Sequence, residues 1–314
     1  MISALLSKLP APMAADWGFK VSVCIAVLCN SYKTIVSVSD YKVGFGDFSA
    51  DNLAQKRHQI WAGSQVLFAG NDVEHAMPIL ERANHILETQ TEDLLLKLKR
   101  ERESKGPEGI LDGHHELPSY IDVVDAIDKA YGERLQSEIT KKVLRKRGFD
   151  VNTFRETGKQ KCTPSAYLAL LSRIDQIKIS LKFIVLGFTE NGEGHIYSVD
   201  GESSPKCYDS IGMWAIGSGA HAALSSLAFH VNRVSLNVYS SIEKATYFAM
   251  AAKFMAESSS EVGTGATDVY INQKEGKVLH VSTSSIAIIR DLWERQGAPR
   301  VPENLDKVMK DHIQ

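Results

Sequence analysis

Three polar residues stand at fixed distances around a run of strand-forming sequence. Ser22 opens the apolar stretch Ser-Val-Cys-Ile-Ala-Val-Leu-Cys, Asp40 closes Thr-Ile-Val-Ser-Val-Ser-Asp, and Lys56 follows Asp40 by sixteen residues. The two runs are β-branched and apolar, and the polar break Asn30-Ser31-Tyr32-Lys33 between them predicts a tight hairpin. With the turn centred between Ser31 and Tyr32, partners are residues whose numbers sum to 63, so Asp40 faces Val23 and lies beside Ser22. A shift of the centre by one residue brings Cys24 to the same place, so the register decides between a hydroxyl and a thiol nucleophile. The competing reading is structural. An Asp ending one strand and a Lys beginning another also make a plain buried ion pair, and a Cys on such a strand is commonly a small buried hydrophobe.

The elements that would hold these groups follow in order. A Gly-rich polar segment (Gly44, Gly46, Asp47, Asp51) leads to Lys56, and Gln65 to Gly70 reads as a strand of a second hairpin. Helical spacing begins after Asn71 or Asp72, either of which is placed as an N-cap, with Pro78 marking a kink or a later start. Helices are predicted over Ser119 to Arg147 and from the Thr163 cap and Pro164 to Ile177. Strands are predicted over Leu181 to Gly187, His195 to Val199 and Lys206 to Ala215. The last runs into Ile216-Gly217-Ser218-Gly219-Ala220, where glycines let backbone amides approach a neighbouring group and Ser218 offers a hydroxyl. Ser218 alone reads as a turn serine. Helices over His221 to Val231 and Ser241 to Glu257, the latter opened by a Ser240-to-Glu243 capping box, precede strands at Asp268 to Asn272 and Val278 to Ser282 and a helix from Ser284. Strands grouped by hairpins and helices grouped between them argue for an α+β fold with antiparallel sheets covered by helices, not for βαβ winding.

Composition narrows the function classes. A formal net charge of -2 gives no basic excess for a phosphate backbone, so nucleic acid is not expected as a partner. No apolar run approaches the roughly 20 residues of a membrane span. Met1 to Lys20 lacks the basic n-region of a secretory signal. The four cysteines (Cys24, Cys29, Cys162, Cys207) show no paired or zinc-like spacing and read as reduced thiols of a cytoplasmic protein. His114 and His115 sit in a charged loop without carboxylate partners at ligand spacing, so no metal and no cofactor is expected. Lys and Arg crowd the end of the Ser119 helix, where the helix dipole favours them.

Four segments in order resemble a known family. VSVCIAVLCNSYKTIVSVSD ending at Asp40, then Lys56, then Phe68-Ala69-Gly70 ending fourteen residues later, are similar to the opening of a proteasome β-type subunit, a member of the N-terminal-nucleophile (Ntn) hydrolases. Ala215-Ile-Gly-Ser-Gly-Ala220 is similar to that family's glycine-serine-glycine turn, and Gly263-x-Gly-x-Thr-Asp268-Val-Tyr to its strand before the last hairpin. The resemblance covers roughly residues 22–92 and 180–290, and it is closer still to bacterial proteasome-like proteins with a longer helical insertion, including Arg147-Gly148-Phe149 and Phe154.

The resemblance implies a four-layer α/β/β/α sandwich. Residues 1–21 would be an extension or propeptide, 22–300 one domain with a helical insertion at about 95–178, and 301–314 a tail. It implies a peptidase or amidohydrolase acting on peptide or protein substrates in a homo-oligomer, ring-like in the family, or alternatively a catalytically silent structural subunit of that kind. Carried over by position, Ser22 is the terminal nucleophile, Asp40 orients the site, Lys56 lowers the nucleophile's pKa, the Gly70 N–H points into the oxyanion hole, and Ser218 hydrogen-bonds the freed amine. Three departures stand out. The family's usual spacing of sixteen back from Asp40 reaches Cys24, Val21 replaces the usual glycine before the nucleophile, and the usual Asp and Ser after the second helix fall on Ser260 and Gly263, leaving Glu257 or Glu261 as replacements.

Overall fold

The computed structural model describes residues 22–41, 43–45, 48–50, 55–105, 118–258, 262, 265–274 and 277–298. The expectations for the extension, the tail, His114, His115, Asp47, Asp51, Ser260, Glu261 and Gly263 lie outside these residues.

The fold is α+β with two antiparallel five-stranded sheets. Their strands are β1 (Cys24–Cys29), β2 (Thr34–Asp40), β5 (Arg57–Gln59), β6 (Gln65–Gly70), β7 (Leu181–Phe188), β8 (Gly194–Val199), β9 (Lys206–Cys207), β10 (Met213–Ile216), β11 (Thr267–Gln273) and β12 (Val278–His280). A small separate ladder pairs β3 (Val43–Phe45) with β4 (Phe48–Ala50). The first sheet runs β10-β1-β2-β11-β12 and the second β5-β6-β7-β8-β9. The helices are α1 (Ala76–Lys105), α2 (Tyr120–Ile139), α3 (Val151–Lys161), α4 (Pro164–Asp175), α5 (Ala220–Val234), α6 (Ile242–Ala256) and α7 (Thr283–Leu292).

Each face of the central strands has a distinct partner. Cys24, Ala26 and Leu28 of β1 pack with Leu67, Ala69, Ile184, Leu186 and Ile196 of the second sheet. Ile25, Val27 and Cys29, with Val36 and Val38, pack on Ala223, Leu227, Ala249, Met250 and Ile286 of α5, α6 and α7. On the second sheet, Val66, Phe68, Phe183 and Val185 pack against Ile79, Leu80 and Leu87 of α1 and Val124, Ile127 and Tyr131 of α2. Every residue of β1 and β2 is buried, because both faces of this pair are covered. Polarity therefore cannot set the register, and the turn does. Asn30, Ser31 and Tyr32 all have left-handed backbones (φ 51, 55 and 65°). The turn is held from outside: Asn30 and Ser31 N–H donate to the Ser240 and Val238 carbonyls at 2.9 and 2.8 Å, and the Gly194 N–H donates to the Tyr32 carbonyl at 2.6 Å.

The register is the one that sums to 63, with Cys24 opposite Ser39 and the Asp40 N–H donating to the Val23 carbonyl at 3.3 Å. Several boundaries differ from expectation. Asp72 does not cap α1; its carboxylate accepts from the Ser180 N–H at 2.6 Å, a short 3-10 turn over Val73–His75 intervenes, and Pro78 falls in the first helical turn where no donor is needed. The strand expected from Lys206 to Ala215 is broken at Tyr208 to Gly212, where Gly212 takes φ +71°. Its halves, β9 and β10, join different sheets. The helix expected to reach Arg147 leaves α-geometry after Ile139 through a π turn, and α3, which periodicity did not predict, folds back with α4 onto its end around Leu144, Phe154 and Leu170. Helix α6 is capped by Ser241 in place of Ser240, its hydroxyl accepting from the Lys244 N–H. No helix among the described residues is long and apolar enough to cross a membrane.

Candidate active site

The hairpin register sets Ser22 beside Asp40, and Lys56 and the half-buried Ser218 join them from other elements. Lys56 precedes β5, and its carbonyl accepts from the Phe68 N–H at 3.1 Å, which ties it to β6. Its side chain reaches across to the first sheet. The Lys56 ammonium donates to the Ser22 hydroxyl at 2.5 Å and pairs closely with Asp40 Oδ1. Asp40 Oδ1 also accepts from the Val23 N–H at 3.2 Å, so the carboxylate is fixed by backbone as well as by charge. Lys56 and Asp40 are each 1% exposed and Ser22 is 3% exposed. Removing either partner of such a buried pair leaves an uncompensated charge, at a cost of about 3–5 kcal/mol.

The glycine-serine-glycine turn holds Ser22 from the other side. The Ser22 N–H donates to Ser218 Oγ at 3.2 Å, while the Ser22 carbonyl accepts from the Gly219 N–H at 3.1 Å and from Ser218 Oγ at 3.3 Å. Gly217 sits at φ +97°, and a Cβ there would lie 2.3 Å from the Ser22 carbonyl oxygen, so this close approach requires glycine. Gly70 is required for a similar reason: a Cβ on it would lie 2.0 Å from the Ser180 carbonyl oxygen. A cleft of about 850 Å³ opens at Ser22, bordered by Gly70, Ser218 and the stacked pair Tyr208 and Trp214, whose ring centroids are 3.7 Å apart.

Cys24 lies one strand repeat further in, close enough for Lys56 and Asp40 to act on its thiol. It is fully buried, its thiol donates to the Phe68 carbonyl at 3.4 Å, and burial pushes it up to about 12 against the opposing influence of Lys56. The thiol is thus protonated at neutral pH.

Helix α6 adds a group that the sequence reading did not single out. Lys253 is 0% exposed and pairs closely with Glu257, which in turn receives a two-pronged contact from Arg290 of α7 at 2.6 and 2.7 Å. Burial pushes the Lys253 ammonium below the usual lysine value, against the pull of Glu257 and, more weakly, of Asp40. The available signal was a lysine on the apolar stripe of α6, four residues after Ala249 and three before Ala256. Glu257, one of the two acids expected as a replacement for the missing support, is thus next to the cluster through Lys253.

Elsewhere, no group of three or more metal-ligating side chains occurs among the described residues. The chain matches no protein-family model and no curated protein.

Proposed function

We propose that the chain is an Ntn-type amide hydrolase of the proteasome-like kind, with Ser22 as the nucleophile once the residues before it have been removed. The observation that carries the reading is the Lys56 ammonium at 2.5 Å from the Ser22 hydroxyl, with Asp40 holding that ammonium from behind. A lysine buried outright against a serine oxygen favours the developing alkoxide, which is what an uncharged hydroxyl needs to attack an amide. The two sheets packed face to face through Leu28, Leu67 and Ile184, with helices against both outer faces, support the four-layer α/β/β/α arrangement as the fold of this reading.

In the reaction, cleavage before Ser22 frees an α-amine beside Ser218. The amine takes the hydroxyl proton, directly or through water, and Ser22 Oγ bonds to the substrate carbonyl carbon. The oxyanion meets the Gly70 N–H, a type of contact worth about 3 to 4 kcal/mol per donor. Collapse expels the amine half of the substrate with that proton and leaves an ester on Ser22. Water then attacks the ester carbonyl, the bond to Ser22 Oγ breaks, that oxygen takes back a proton from the water through the amine, and the acyl half leaves as a carboxylic acid. Asp40 keeps Lys56 in place throughout, and Ser218 orients the amine. Peptide or protein substrates would reach the cleft within a homo-oligomer in the cytoplasm.

Ser22 is preferred to Cys24 as nucleophile because the thiol is enclosed, protonated and bonded to Phe68, whereas Lys56 donates to the Ser22 hydroxyl. Labelling with a β-lactone or an epoxyketone tests the reading. An adduct on Ser22 that survives Cys24→Ala and is lost in Ser22→Ala supports it. Absence of any adduct on a chain that begins at Ser22 supports instead a silent structural subunit, in which Lys56 and Asp40 serve only as a buried ion pair.

A further inference from the structure

Lys56 and Lys253 are the two lysines buried outright among the described residues; Lys56 pairs with Asp40, and Asp40 is among the charges that act on Lys253. Lys56 comes from the edge of the second sheet. Lys253 comes from α6, which packs on the helix-facing side of β2, the side that Val36, Val38 and Asp40 share by alternation. A buried ammonium is costly unless it is paired, and one carboxylate with ideal geometry would suffice for Lys253. Glu257 is nevertheless shared with Arg290, whose guanidinium also lies 4.1 Å over the Phe254 ring. Contacts thus join Arg290, Glu257 and Lys253 in one charged row and Asp40, Lys56 and the Ser22 hydroxyl in a second, and Lys253 and Asp40 are the ends that attract each other.

We propose that Lys253 is a positioning residue for the Ser22 site, acting through Asp40: anchored by Glu257 and Arg290, it holds the carboxylate from the helix side and adds positive potential behind the nucleophile. The groups facing these rows are Lys56 and Asp40 from the two sheets, the Cys24 thiol from β1, Glu257 from the end of α6, and Arg290 with Glu294 beyond it from α7 and the turn that follows. Of these, Cys24 is protonated at neutral pH, and with Glu294 counted against Arg290 the two lysines balance Glu257 and Asp40, so the rows together are neutral and end on the Lys56 cation next to the hydroxyl. A cation in that place lowers the pKa of a terminal amine at Ser22 and stabilises the alkoxide.

The inference rests on the hydrolase reading for what the positioning achieves, and its test has one arm that does not. In protein carrying [13Cε]lysine, with the Lys253 resonance assigned by Lys253→Arg, Asp40→Asn is expected to move the Lys253 titration about one pH unit lower, because an anion facing the ammonium has been removed. An unmoved titration in folded Asp40→Asn overturns the proposal, whatever the activity. In the second arm, Lys253→Met is expected to move the acidic limb of the pH–rate profile to higher pH and to lower kcat about tenfold with little change in KM, with Lys253→Arg restoring both. A purely structural lysine would lower the melting temperature of Lys253→Met and leave the limb of the active fraction unmoved, which also overturns it. If Lys253→Met does not fold, the titration arm decides alone. If the wild type never presents Ser22 as a terminus, the hydrolase reading falls while the coupling of Lys253 to Asp40 is still decided by the titration.

Discussion

Among the described residues are two clusters in which a carboxylate, a basic group and a nucleophile type stand together, and they are wired differently. At the end of the β1–β2 hairpin, Asp40 grips the Lys56 ammonium, and Lys56 faces the Ser22 hydroxyl. On the outer strands of the second sheet, Asp209 lies between His195 and Cys207. Its Oδ2 contacts His195 Nδ1 at 2.6 Å, its Oδ1 accepts from the Ile196 N–H at 2.9 Å, and the His195 ring stacks on Tyr120 at 4.5 Å. Burial raises the Cys207 thiol and Asp209 raises it further, while hydrogen bonds from His195, Cys207 and the Ile196 N–H outweigh burial and hold the Asp209 carboxyl below its ordinary value. In the first cluster a cation touches the nucleophile, which favours loss of its proton. In the second an anion touches it, which keeps the proton on. The order of the charges, and not the residue types present, separates a candidate active site from a structural one.

The largest effect that would break this comparison comes from Lys56→Met. It should destabilise the fold by about 3–5 kcal/mol, because Asp40 is left buried and unmatched by Lys56. Lys56→Met together with Asp40→Leu should recover much of that in denaturant unfolding while remaining unlabelled by the β-lactone. Equal stability of the single and double variants would show that the pair is not the unit described. Next comes Gly217→Ala. The new methyl meets the Ser22 carbonyl oxygen in a left-handed backbone, so a loss of about 1–3 kcal/mol in urea and a larger proportional loss of Ser22 labelling are expected. Unchanged labelling would free Ser22 from the turn.

How much of this was legible in the chain follows from the same contacts. A turn centred on Ser31 and Tyr32 was enough to set Asp40 beside Ser22, because a hairpin of fixed turn leaves only one partner for Val23, while the place of Lys56 came from the family resemblance and not from the hairpin. Ser218 alone read as a turn serine, and its place beside Ser22 came from the same resemblance. Three features were not legible. Lys206 to Ala215 looked like continuous strand because nothing local announces that the two ends pair with different sheets. Helix α3 has few apolar positions, its buried ones being Val151, Phe154 and Gly158, and it is held by contact with α4 and the end of α2. Lys253 looked like one more charge on a helix, since only the packing of α6 on β2 turns that face inward.

Smaller effects sharpen the second cluster. Asp209→Asn should lower the pKa of the Cys207 thiol and speed its alkylation by iodoacetamide at pH 8 by up to about tenfold, with Ser22 labelling unchanged. A slower alkylation would reverse the assigned role of the carboxylate. The pH dependence of stability has a definite sign at this site. Asp209 has a folded pKa below its unfolded value near 3.8, so its contribution is present above that value and is lost as the pH falls through the folded one. The wild type should therefore lead Asp209→Asn in thermal stability at pH 6 and lose that lead progressively as the pH falls below about 3.8. A lead that grows on acidification would contradict it.

The central claim is that Ser22 becomes a chain terminus facing Lys56. Intact-mass measurement of the purified protein, alone and after incubation with a β-lactone, tests it most directly. The account predicts a species beginning at Ser22 that gains the mass of one probe on that residue, and neither the species nor the gain in Lys56→Met. A chain that retains residues before Ser22 under all conditions and gains no mass would contradict it.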